Sequence, residues 1–344
     1  MHTQIIGRIF ETGDLRRVND LSSLLGSMAE VQRLWRENAA HIMPDIVPFI
    51  AMQTGLTAFI LLYQPAGPLE NLEQIRATYE QQCRQAGVSL YGAYGLAMEI
   101  AARRGDLQSA DRYLGQALSQ PRSAGSPISL SNFMDRLASR GDDAGAVRVL
   151  ERLDADEKQH VVQACQAAAV LPLLRLGRLD EAELMHRDSL DRDDLGSGDA
   201  AHLVYLALRG RLDEALELLA EITEEDPDEP ETPYHRALIA AHAFPLLRHC
   251  QVAGRGAERP ASFNGKTIDE LAVQYQGEAE RVARQIDEVN KRDAARPRLY
   301  RLWDWCMPRQ QVPPQQVPAQ QAPAQQAAAP TRPVQGMSPG HAPW

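Results

Sequence analysis

Aromatic residues make up only 6% of this 344-residue chain. That scarcity counts against a sheet-built core, because strands favour aromatic and β-branched side chains. Cysteine is scarce too. Cys83, Cys165, Cys250 and Cys306 are scattered and form no CxxC pair, which excludes a disulfide framework and a zinc pattern and suits a reducing compartment. A cationic excess is missing: 36 Lys and Arg face 46 Asp and Glu, for a net charge of −10. Neutralising phosphates needs the opposite balance, so nucleic acid is a poor partner. The start, Met1-His2-Thr3-Gln4, shows no basic region followed by an apolar run and a cleavage site. No signal peptide is expected, and a cytoplasmic location is.

Catalytic signatures are also missing. No GxSxG elbow is present. Gly265-Lys266-Thr267 imitates the end of a phosphate-binding loop, but Pro260 stands where the first glycine belongs and no strand precedes it. His235, His242 and His249 fall seven apart, about 10 Å along a helix, too far to share one metal ion. The chain therefore reads as a non-catalytic protein with no cofactor and no metal.

What is present is repetition. Gly105-Asp106-Leu107, Gly141-Asp142-Asp143, Gly177-Arg178-Leu179 and Gly210-Arg211-Leu212 form four loops of one type. Ala110, Ala146, Ala182 and Ala215 follow at one offset, and the glycines lie 36, 36 and 33 residues apart. Glycine after a helix takes a left-handed conformation without steric cost. The small alanine lets the two helices of a hairpin approach closely. Leucines at three- and four-residue steps, such as Leu212, Leu216 and Leu219, form the inner face. One hairpin cannot bury that face alone, so neighbours must stack.

This pattern resembles the tetratricopeptide repeat family over about 91–227, with Sel1-like and pentatricopeptide-like repeats as relatives. The strongest matches are Gly105-Asp106-Leu107 with Ala110 and Ala117, and Gly210-Arg211-Leu212-Asp213-Glu214-Ala215 with Pro227. Met98, Met134, Val170 and Leu203 stand where that family usually has a small residue. The resemblance implies an all-α α-solenoid whose concave groove takes a peptide or helix from a partner protein. On the leading helices it directs Glu99, Asp135 and Leu171 to the groove, and Arg103, Ser139 and Arg175 one turn later.

The flanks complete the plan. Residues 1–88 read as an N-terminal helical region, 89–231 as the repeats, 232–306 as a helical C-terminal cap and 307–344 as a disordered tail. The apolar stretch 46–63 carries no charge. Pro48 leaves Phe49–Tyr63 as the clean helix, roughly 22 Å long and short of a ~30 Å hydrocarbon core. It is expected to be buried in protein, with a membrane anchor as the alternative. The acidic run Glu224, Glu225, Asp226, Asp228, Glu229 and Glu231 reads as a solvated loop. Thr267-Ile268-Asp269-Glu270 is a capping box opening a long helix. The basic stretch Arg281, Arg284, Lys291, Arg292, Arg296, Arg298 and Arg301, interleaved with acids, reads as a salt-bridged exposed face. Pro, Gln and Ala from about Met307 onward cannot bury a core.

Overall fold

A computed structural model describes residues 21–38, 41–122, 130–153, 159–190, 199–224 and 232–308. The Gly13-Asp14 echo of the repeat loops, most of the acidic run and the Pro/Gln/Ala tail lie outside the described residues. Among those described there are fourteen α-helices and no strand. After α1 (Leu21–Asn38) the chain forms successive pairs: α2 (Val47–Leu62) with α3 (Leu69–Ala86), α4 (Tyr91–Arg103) with α5 (Leu107–Leu118), α6 (Leu130–Ser139) with α7 (Asp143–Arg148). They continue as α8 (Gln159–Arg175) with α9 (Leu179–Leu190), α10 (Ala201–Leu208) with α11 (Leu212–Ile222), and α12 (Pro233–Val252) with α13 (Ile268–Asn290). A last helix, α14 (Ala295–Cys306), packs on α12 and α13. First helices also meet one another: α2 packs on α4, α6 on α8, α8 on α10 and α10 on α12.

The repeated loops explain the pairing. Gly105, Gly141, Gly177 and Gly210 have φ of 72°, 87°, 73° and 74°, where an ordinary residue costs about 1–2 kcal/mol. At Gly105, the Asp106 amide donates to Ala101 O and the Gly105 amide to Ala102 O, so two terminal carbonyls of α4 are satisfied. The same pair of bonds recurs at the other three turns. The next helix then starts in one of two ways. Asp106 and Asp142 accept from the backbone N–H of Ser109 and Gly145 at 3.0 and 2.9 Å. Arg178 and Arg211 cannot accept, and instead pair with Glu181 and Glu214 three residues on. Ala110, Ala146, Ala182 and Ala215 are each 0% exposed, so all four sit where the paired helices press together.

The apolar stretch forms α2 with Pro48 in its first turn, where a missing N–H costs nothing. Ile50, Ala51, Thr54, Ala58, Leu61 and Leu62 are buried. A Cβ on Gly55 would meet the Tyr79 ring at 2.7 Å, so glycine lets α2 and α3 close up. Among the described residues, Pro44–Leu62 is the one stretch long and apolar enough to cross a membrane, and half of it is buried in the protein. Met52 and Leu56 face solvent.

Contacts distant in sequence place the last helices. Pro68 offers no cap to α3; Asn290 Oδ1, from the end of α13, accepts from Leu69 N at 3.0 Å. Tyr63, just past α2, packs edge-on against Tyr234 at the start of α12, with centroids 5.0 Å apart. Thr267 and Glu270 form the reciprocal capping box of α13. The spacing predicts that the last helix starts at Leu299, beyond Pro297, but it starts at Ala295. Asp287, 6% exposed, accepts from the N–H groups of Ala294, Ala295 and Arg296 and so holds the first turn in place. Pro297 falls within that turn, where helix N–H groups have no intrahelical acceptor.

Candidate functional site

The residues that the repeat pattern directs to a groove fall on α4, α6 and α8. Helix α14 comes near residues of each of these three in turn. Near its start, Ala294 lies 3.5 Å from the place a Gly105 side chain would occupy. One turn in, Arg298 feels the charges of Glu99 and Asp135. At its far end, the Trp305 ring lies under the Arg175 guanidinium at 4.6 Å. The opposite face of α14 is anchored: Leu299, Trp303 and Cys306 are buried, and Trp303 Nε1 donates to Ala241 O at 2.8 Å. Helix α14 is therefore fixed in place beside Glu99, Asp135 and Arg175.

The two ends of α14 differ in their bonding. At the α8 end, Arg175 Nε donates to Asp143 Oδ1 at 2.9 Å while its face covers Trp305. Both partners of that ion pair are largely shielded, so the contact is stronger than a surface pair. At the α4–α6 end, the Arg298 side chain makes no hydrogen bond or ion pair among the described residues, although Glu99 and Asp135 both act on it. Glu99 is half-buried and Asp135 exposed. The surrounding protein strips solvation from Asp135 and pushes its carboxyl up to about 7; Arg298 opposes the shift and Glu99 adds to it. The exposed tip lets water screen the charge, so the direction matters more than the size.

Aromatic groups frame this open end. Tyr63 OH accepts from Asn132 Nδ2 at 3.1 Å, and its ring also contacts Phe59 and His235. Arg103, at the end of α4, lies over the Tyr234 ring at 5.2 Å. Burial, chiefly, pushes the Tyr63 phenol far up and holds the His235 and His242 imidazoles down. The open end therefore sets Arg298, Arg103, Glu99 and Asp135 beside the Tyr63 and Tyr234 rings.

Of the six positions read from the repeat pattern, Glu99, Arg103 and Asp135 come together here. Arg175 belongs to the closed end. Ser139 is exposed, and its hydroxyl donates to Arg136 O. Leu171 is 7% exposed and belongs to the main core. Tyr63, Tyr234, Arg298 and Trp305 were not among the six, because their place depends on how the last two hairpins fold back. Arg298 was visible only as one of a basic stretch. In that stretch Arg281 pairs with Glu278, and Arg296 with Asp287 and Asp293.

Other polar clusters have structural roles. His242 Nδ1 contacts Leu238 O at 2.9 Å and His249 Nε2 contacts Cys306 O at 3.0 Å, so the histidine stripe splits into separate tasks. No group of three His, Cys, Asp or Glu is placed to hold a metal among the described residues. Ser189 donates to His186 O and so accepts from His202 Nε2; His202 Nδ1 then accepts from His186 Nδ1 at 3.0 Å. That assignment, made from the bonding pattern, ties α9 to α10. Compared with known proteins, the chain matches no family description, no curated protein and no solved structure.

Proposed function

We propose that this chain is a non-catalytic scaffold or adaptor, a tetratricopeptide-like α-solenoid that takes a peptide or helical segment of a partner protein in the groove between α4, α6 and α14. The observation that carries this reading is Arg298, a cation unpaired among the described residues, set opposite two carboxylates in a groove whose far end is closed by its own contacts. Unpaired charges held on rigid helices recognise a partner without the ordering cost of a flexible loop. Mixed signs suit a segment that carries both a basic and an acidic side chain. The reading places the protein in the cytoplasm.

Quantitative affinity capture tests this. Asp135→Lys and Arg298→Glu should each deplete the same proteins relative to wild type, while Val273→Lys on the outer surface should not. Equal recovery by all four forms would overturn the assignment.

A second reading, membrane attachment through α2, is supported by the solvent-facing Met52 and Leu56. Sedimentation with lipid vesicles tests it, and a protein that stays wholly in the supernatant excludes it. RNA binding, a third reading, has the net charge of −10 against it.

A further inference from the structure

A second feature lies among α7, α8 and α9. Helix α7 is six residues long, against twelve for α5 and α9. A tighter helical turn, Val149–Arg152, continues it. A cleft of about 300 Å³ lies alongside, at the lower end of the range for small-molecule sites. Its apolar lining comes from Val147, Leu150, Leu173 and Met185. Val147 and Leu173 are buried, while Leu150 and Met185 are half-buried and keep surface to offer a ligand.

Four exposed charged side chains line the same cleft, and they are of two kinds. Arg178 and Glu181 satisfy each other through two hydrogen bonds. Arg148 and Glu151 make no hydrogen bond or ion pair, with each other or with any other described residue. Arg148 acts on Asp142 without a bonded contact, and Asp142 already accepts from Arg140 and from Gly145 N. Glu151 acts in the same way on Arg178, which Glu181 already holds. Arg148 and Glu151 are three residues apart. In a helix of three residues per turn such side chains eclipse, about 6 Å apart along the axis. One cation and one anion thus stand side by side at an apolar floor.

This arrangement selects among ligands. A phosphate or a simple carboxylate would meet Glu151, and a simple cation would meet Arg148. An uncharged apolar molecule would leave both charges without a partner. We infer that the cleft binds a free amino acid with a large apolar side chain: Arg148 pairs the α-carboxylate, Glu151 pairs the α-ammonium, and the side chain lies against Leu150 and Met185. The planar guanidinium fork matches a carboxylate, and a flexible thioether adapts to side chains of different shape. A peptide terminus carries only one of the two charges and so satisfies half of the site. The site is independent of the groove reading, since no residue is shared.

The test uses the full chain with methyl-labelled methionine and four soluble probes: leucine, N-acetyl-leucine, leucinamide and glycine. Leucine should shift the Met185 methyl resonance saturably, the signal being identified by its loss in Met185→Leu. N-acetyl-leucine and leucinamide each lack one charge. Each should bind about tenfold or more weakly than leucine, the worth of one charge-assisted hydrogen bond. Glycine keeps both charges, lacks the apolar branch, and should also bind more weakly. Arg148→Gln and Glu151→Gln, both at exposed positions, should each weaken leucine by a similar factor. The first should erase the preference over leucinamide, and the second the preference over N-acetyl-leucine. A Met185 methyl signal unmoved by leucine would overturn the site. So would a single-charge analogue that binds as tightly as leucine, or undiminished leucine affinity in either variant.

Discussion

The two ends of the proposed groove set one arginine against another. Arg175, on α8, is bonded to Asp143 and stacked on Trp305. Arg298, on α14, faces Glu99 and Asp135 and bonds neither. The same cationic group thus finishes a structure at one end and leaves an unmet demand at the other. Charges that satisfy each other within the chain report on stability. On the scaffold reading proposed above, charges held apart by rigid helices await a partner.

Mutations should separate the ends. The largest effect is expected from Trp305→Ala at the closed end. Losing a half-buried aromatic ring and its cation–π contact should cost about 2 kcal/mol of stability in denaturant titration. Arg175→Ala should follow at about 1–2 kcal/mol, because it strands a shielded Asp143. Arg298→Ala, the matching change at the open end, should move stability by less than about 0.5 kcal/mol, as for a surface position without bonded partners. Its effect should fall on partner capture instead. A stability loss in Arg298→Ala as large as that in Arg175→Ala would erase the contrast.

The smallest effect sharpens the open end through pH. The Asp135 carboxyl sits at about 7 in the folded chain against 3.8 for an ordinary aspartate. A raised carboxyl makes the ionised form unfavourable in the fold, so wild type should lose stability as pH rises from about 4 to about 7. Asp135→Asn removes that dependence. At pH 8 the variant should be more stable than wild type by under about 1 kcal/mol, since the exposed tip is screened. Parallel pH profiles for the two proteins would show that the groove does not enclose Asp135.

Much of the fold was legible because its causes are local. A glycine that must take φ near 73°, followed by an alanine that must be 0% exposed, leaves a mark within a few residues. Thr267 with Glu270, and Gly87 closing α3 at φ 67°, are of the same kind. The proposed groove was only half legible. Its α4 and α6 wall, Glu99, Arg103 and Asp135, follows from repeat register. Its other wall depends on Asn290 reaching Leu69 and on Asp287 seating the first turn of α14, contacts that no short-range pattern encodes. Register also assigned Leu171 to the groove surface. That step holds an acid on α4 and α6, but on α8 it holds a leucine, which packs into the core.

Site-specific photocrosslinking in cells tests the central claim most directly. A photoreactive side chain in place of Asp135 should yield a discrete adduct with a partner protein, and Arg298→Gln in the same chain should diminish it. The same probe at Val273, 73% exposed on α13, should yield none. No adduct from position 135, or the same adduct from both positions, would contradict a groove that binds a partner.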